Sequence, residues 1–176
     1  MSRPARTSTD RRATPARTSP SRTAPPHRRA SAALSLSIQL GDEVRELPAA
    51  RAQLRRWVAA AIDSDATLTL RFVGEREGRA LNAQYRHRDY ATNVLTFPYH
   101  GEGERVSADI VVCVPVVRRE ARAQRKDPAA HLAHLVIHGV LHACGHDHDR
   151  PGPAARMEAA EVALLARFRI ADPWRG

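Results

Sequence analysis

A chain of 176 residues, 43% of them hydrophobic, suits one domain with its own core and is short for two domains of ordinary size. It has no run approaching the roughly 18 apolar residues of a membrane span, and the first 33 residues lack the apolar centre of a secretory signal. The formal charge of +9 is unevenly held: eight arginines and one acid, Asp10, before residue 34 supply seven of those charges, so the rest is close to neutral and not a uniformly basic domain.

Residues 1–33 are rich in Arg, Ser, Thr, Pro and Ala and have no apolar periodicity. Such a segment buries too little apolar surface to offset its chain entropy, so a disordered tail is expected at 1–33 and a folded domain at 34–176. The basic arm is either a source of salt-sensitive affinity for a polyanion such as RNA or a merely solvated extension. Its prolines oppose the amphipathic helix of an organelle transit peptide. Cys113 and Cys144 sit among apolar residues and read as free thiols, which fits a reducing cytoplasm.

In chain order, Leu34 to Leu40 alternates apolar and polar residues and predicts a strand. Pro48 opens a helical stretch to about Ile62, with Leu54, Trp57, Val58 and Ala61 on one face. Ala66 to Val73 alternates again and forms a second strand. Glu75 to Tyr85 is a short helix, and Asn93 to Phe97 a third strand stopped by Pro98. Asp109 to Val114 is an apolar fourth strand covered on both faces. Helices follow over Pro115 to Arg125, from the cap Asp127 to Ala143, and from Ala154 to Phe168. The fold class is α+β, a small mixed four-stranded sheet packed with about five helices.

Six of the nine histidines fall between His131 and His148. Residues four apart share a helix face, so His138 and His142 can bind one ion. Gly145 then takes the left-handed conformation that ends a helix, and His148 closes a third corner. Three imidazoles with an open position form a catalytic zinc arrangement, because the open position holds water. The metal site is thus expected on a helix and the turn after it, with His138, His142 and His148 as ligands. His146 competes for the third place, but the spacing H-x-x-x-H-x-x-G-x-x-H, shared with a class of zinc proteases, favours His148. Those proteases carry a glutamate base after the first histidine. Here Gly139 stands there and moves no proton, which disfavours a protease. His131 and His134 extend the same face and are read as supporting, sheet-packing or RNA-contacting residues.

Two blocks resemble the YbeY family of bacterial endoribonucleases. One is His138-Gly-Val-Leu-His-Ala-Cys-Gly-His-Asp-His148. The other runs from Leu81-Asn-Ala-Gln-Tyr-Arg through Asp89 to Thr92-Asn-Val-Leu-Thr-Phe-Pro98. Shorter likenesses are Asp109 to Cys113 and Asp172-Pro-Trp174. Ala108, Ala143 and Cys144 depart from the family pattern at packing positions, and the arginine-rich tail lies outside it. The resemblance implies zinc at His138, His142 and His148 and a part in activity for Arg86. It also implies a cytoplasmic endoribonuclease specific for single strands, which matures the 3′ end of small-subunit ribosomal RNA and serves ribosome quality control. Its partners would be single-stranded RNA, ribosomal RNA and the small ribosomal subunit, with no membrane and no DNA. A guanidinium can hold two phosphate oxygens at once, which suits Arg86, with Arg88 in reserve. Otherwise Arg86 is a surface residue or pairs with Asp89. Thr92 and Asn93 either touch sugar and phosphate or cap the third strand. Aromatic content is only 5%, which argues against a multi-base stacking platform. The alternatives are a ribosome-assembly factor with a mainly structural metal site and, less favoured, a metalloprotease.

Overall fold

Alternating or continuous apolar runs build four strands: β1 (Leu34–Leu40), β2 (Ala66–Val73), β3 (Val94–Pro98) and β4 (Val106–Cys113). The structure is a computed structural model that describes residues 32–99, 105–146 and 150–175, so the expected tail and His148 lie outside it. The strands lie in the order β1-β2-β4-β3. β1 with β2 and β2 with β4 are parallel, and β3 runs antiparallel to β4. With the helices α1 (Arg51–Ala61), α2 (Glu75–Arg86), α3 (Val114–Ala123), α4 (Pro128–Ala143) and α5 (Pro151–Ala166), this is the expected α+β fold with a mixed sheet.

Each sheet face has its own cover. Leu68, Leu70, Phe72, Ile110 and Val112 point to one side and join Leu54, Trp57, Val136, Val140 and Leu165 in the main core. Val73, Leu95, Val111 and Cys113 point to the other, where Leu81 of α2 and Val116 of α3 meet them. β4 is therefore buried on both faces, as its apolar run implied. No helix among the described residues is long and apolar enough to cross a membrane.

Element ends moved where a local contact outweighed the pattern. α1 begins at Arg51, not Pro48, because the Gln53 side chain accepts the backbone N–H of Ala50 (3.0 Å) and sets the first turn there. β4 begins three residues before Asp109, since parallel pairing from Ala66 opposite Val106 carries Ser107 and Ala108 into the ladder. α5 begins at Pro151, a residue that loses nothing at a first helical position. β3 begins after Asn93, whose Oδ1 accepts the N–H of Val94 (2.7 Å).

α4 is the central helix. The Asp127 carboxylate accepts the N–H of Ala130 (2.9 Å), and Pro128 follows at the first position, as the sequence predicts. Leu132, Val136, Ile137 and Val140 are fully buried. The close approach to the sheet falls at Gly139, where a β-carbon would lie 2.8 Å from Ile110 Cγ2 and 3.2 Å from Thr96 Oγ1. A glycine costs a helix about 1 kcal/mol against alanine, whereas overpacking costs about 1–3 kcal/mol. Gly139→Val, with two more carbons to place, should therefore lower the urea-unfolding free energy by about 2 kcal/mol. An unchanged midpoint would mean that α4 does not press on the sheet here.

Candidate metal centre

Four histidines form a row along α4, and the neighbouring elements determine which way each ring faces. The last turn ends in two hydrogen bonds: Gly145 donates its N–H to His142 O (3.0 Å) and His146 donates to Leu141 O (3.0 Å). This closure needs a left-handed residue, and Gly145 supplies it with φ 86°. The returning chain puts the carbonyl of His146 3.0 Å from His142 Nδ1. A carbonyl only accepts, so Nδ1 carries the hydrogen. One turn earlier, His138 Nδ1 lies 2.7 Å from Glu161 Oε1 on α5, and a carboxylate likewise takes a hydrogen from the ring.

Both rings thus turn their Nε2 atoms toward each other, 3.1 Å apart, with ring planes at 84°. In the neutral rings each Nε2 presents a lone pair, and two lone pairs at that distance repel unless a cation lies between them. Two nitrogens each about 2.0–2.1 Å from a tetrahedral zinc ion sit about 3.3 Å apart, so the pair fits such an ion. The negative end of the α4 dipole adds to the attraction for a cation. The expected third ligand, His148, lies outside the described residues.

Glu161 was not foreseen. Its carboxylate is buried at 1% exposure and takes His138 on one oxygen and His134 Nε2 on the other (3.1 Å). Burial pushes the carboxyl up, but the hydrogen bonds from His134 and His138 and their charge more than reverse this and hold it at about 2. A carboxylate behind a ligand imidazole fixes the ring and raises its basicity. The sequence carried one signal: Met157, Glu161 and Leu165 are four apart, so an acid stands in the buried row of α5. His134, His138 and Glu161 could also hold an ion among themselves. Because Glu161 Oε1 already takes the hydrogen of His138 Nδ1, Glu161 is better read as the group that orients this ring.

The other histidines divide by partner. Trp174 packs edge-on against His134, with ring centres 5.5 Å apart. His131 is buried, and its Nε2 lies 2.8 Å from Glu120, which also accepts the Asn93 amide at 3.1 and 3.2 Å. Of the alternatives for Asn93, the structure supports the capping one, and His131 ties α4 to α3. A cavity of about 260 Å³ beside His138 is lined by Met157, Glu158, Glu161 and Trp174. Cys113 and Cys144 are free thiols, and burial raises the pKa of both.

Arg86 ends α2, on the opposite side of the sheet from α4, and is exposed. Its motif neighbours are scaffolding. Asn82 is buried and donates to Tyr90 O (2.7 Å), while Asp89 accepts from Nε and Nη2 of Arg79, each at 2.7 Å. Hydrogen bonding and charge within that pair lower the Asp89 pKa and raise that of Arg79. Asp89 is thus engaged elsewhere, and Arg86 forms no ion pair and no hydrogen bond to either imidazole among the described residues.

The fold and the site define a class: a small α+β domain whose central helix carries a facing histidine pair near its C-terminal turn. Residues 39–169 match the family described as Endoribonuclease YbeY. The chain belongs to that family. A protein of Cupriavidus pinatubonensis named Endoribonuclease YbeY is 52% identical over 147 residues, covering 81% of this chain and 73% of its own. The protein of that name from Burkholderia pseudomallei strain K96243 is 52% identical over 149 residues, covering 81% and 80%. The one from Aromatoleum aromaticum is 50% identical over 147 residues, covering 82% and 95%. The expected class, a hydrolase of the endoribonuclease kind, is that of the family.

Proposed function

We propose that this chain is a zinc-dependent endoribonuclease specific for single-stranded RNA, with His138, His142 and His148 as ligands. The observation that carries the reading is the pair of Nε2 atoms 3.1 Å apart, each with its Nδ1 engaged from behind. When bound, zinc supplies Lewis acidity at the scissile phosphate. Glu161 and the His146 carbonyl hold the two ligand rings in orientation. Arg86, which forms no ion pair among the described residues, grips two phosphate oxygens of the RNA strand where it passes the end of α2. Family membership supports a role in maturing the 3′ end of small-subunit ribosomal RNA and in ribosome quality control, in the cytoplasm, with the small subunit as partner.

The protease spacing finds no support. A glutamate at position 139 would enter the face of Ile110, Thr96 and Val94, not the space between the imidazoles.

The test is elemental analysis of the purified full chain beside an RNA cleavage assay. We expect about one zinc per chain, loss of the metal in His142→Ala, and cleavage of unstructured but not duplex RNA that chelation abolishes. Full metal content in His142→Ala would overturn the ligand assignment. A zinc-loaded protein that leaves unstructured RNA intact would overturn the enzymatic reading.

A further inference from the structure

The sheet face under α2 is only partly covered. Leu81 closes over Val73, Leu95, Val111 and Cys113, and the buried patch stops near Phe97. Beyond it, Tyr99 continues the alternation of β3, donating its N–H to Ser107 O (2.8 Å) beside Asp109 on β4. Toward β1 the same face carries the exposed hydroxyls of Ser35, Ser37 and Thr67. No helix among the described residues covers this corner.

Two tyrosines stand there with more than half their surface free, Tyr85 at 56% and Tyr99 at 55% exposure. Neither ring swings loose. Tyr85 rests edge-to-face on Phe97, with centres 4.8 Å apart. Tyr99 donates its hydroxyl to Asp109 Oδ2 at 2.6 Å. Tyr99 follows Phe97 by two residues along the strand, so both side chains stand on the same face of the sheet. Both rings are thus held in place and still more than half exposed. The next residue after Tyr85 is Arg86, whose guanidinium has no carboxylate partner among the described residues.

We infer that Tyr85, Phe97 and Tyr99 form a platform on which unpaired RNA bases stack, with Arg86 at its border to take the adjoining phosphate. This deepens the ribonuclease reading and rests on it. The occupant follows from the chemistry: every base has a π-face, a strand running over an aromatic corner brings a phosphate to an adjacent cation, and a duplex hides its base faces. The platform thus supplies a reason for single-strand preference that the metal centre does not. The low aromatic content pointed the other way. It is an average over the chain, and the fold gathers three of the eight aromatic residues from α2 and β3 into one corner.

The experiment mixes the full chain, as purified, with a single-stranded oligoribonucleotide carrying 2-aminopurine and follows its fluorescence by stopped flow. Stacking should quench the probe in wild type. Tyr85→Ala and Tyr99→Ala should each weaken Kd about ten- to a hundredfold and reduce the quenching. Tyr85→Phe should keep the wild-type Kd, and Tyr99→Phe, which loses only the bond to Asp109, should weaken it far less than Tyr99→Ala, because the ring face does the binding. The salt dependence of Kd should be the same in all four variants, since no phosphate contact is removed. Should Tyr85→Ala fail to fold, Tyr99→Ala, which removes a side chain that packs against little, decides the matter. Alanine variants that bind as tightly as wild type, or phenylalanine variants as weak as alanine, would overturn the platform and leave the ribonuclease standing. A wild type that binds no RNA would overturn both.

Discussion

Arg86→Ala will fold, keep its metal and cleave unstructured RNA about a hundred- to a thousandfold more slowly. Stability should change by no more than about 0.5 kcal/mol, because the side chain is exposed and has no ion-pair partner among the described residues. The rate falls because attack on a phosphodiester concentrates negative charge on the phosphorus oxygens. A guanidinium that grips two of those oxygens stabilises the growing charge more than it stabilises the bound substrate. Arg86→Lys should recover little, since an ammonium cannot grip two oxygens in a fixed plane. Single-turnover rates on one oligonucleotide, read beside a thermal melt and a zinc determination, check all three statements. Equal rates in wild type and Arg86→Ala would return Arg86 to the role of a surface residue.

Replacing Glu161 should damage both the fold and the metal affinity. The carboxylate is buried and has an imidazole on each oxygen, so Glu161→Ala leaves two ring N–H groups without an acceptor. Breaking a buried pair costs about 3–5 kcal/mol, and losing the group behind a ligand histidine costs about ten- to a hundredfold in metal affinity. Glu161→Gln, which keeps the volume and one acceptor, should fall between. In the metal-free protein the same pair makes stability depend on pH in a definite sense. The folded carboxyl is held at about 2, below its ordinary value of 4.5. Its contribution is therefore complete above the ordinary range and is lost as pH falls through about 2. The difference between wild type and Glu161→Gln should be roughly 3 kcal/mol near pH 6 and vanish near pH 2. Urea melts across that range measure it, and a difference independent of pH would mean that the pair with His134 and His138 is not formed.

What the chain reveals unaided is whatever depends on near neighbours along it. The alternation in Leu34–Leu40 and Ala66–Val73 located two strands to the residue, and Asp127-Pro128 located the start of α4. The spacing of four between His138 and His142 put them on one helix face, and Gly145 announced the turn beyond, because both follow from the geometry of one helix and its end. The YbeY likeness was equally legible, being carried by contiguous blocks. The start of α1 was misread since Gln53, not Pro48, caps it. Gly139 was read only for the base it lacks, although its packing role against Ile110 belongs to a strand far away in the chain. Glu161 meets His138 across 23 residues, and Tyr85 meets Phe97 between a helix and a strand. Those meetings depend on how α5 docks on α4 and how far α2 covers the sheet. Periodicity tells which side of an element is buried and not which neighbour it will find there. The ring pair was therefore local geometry, while the carboxylate that aims it and the aromatic corner came from tertiary packing alone.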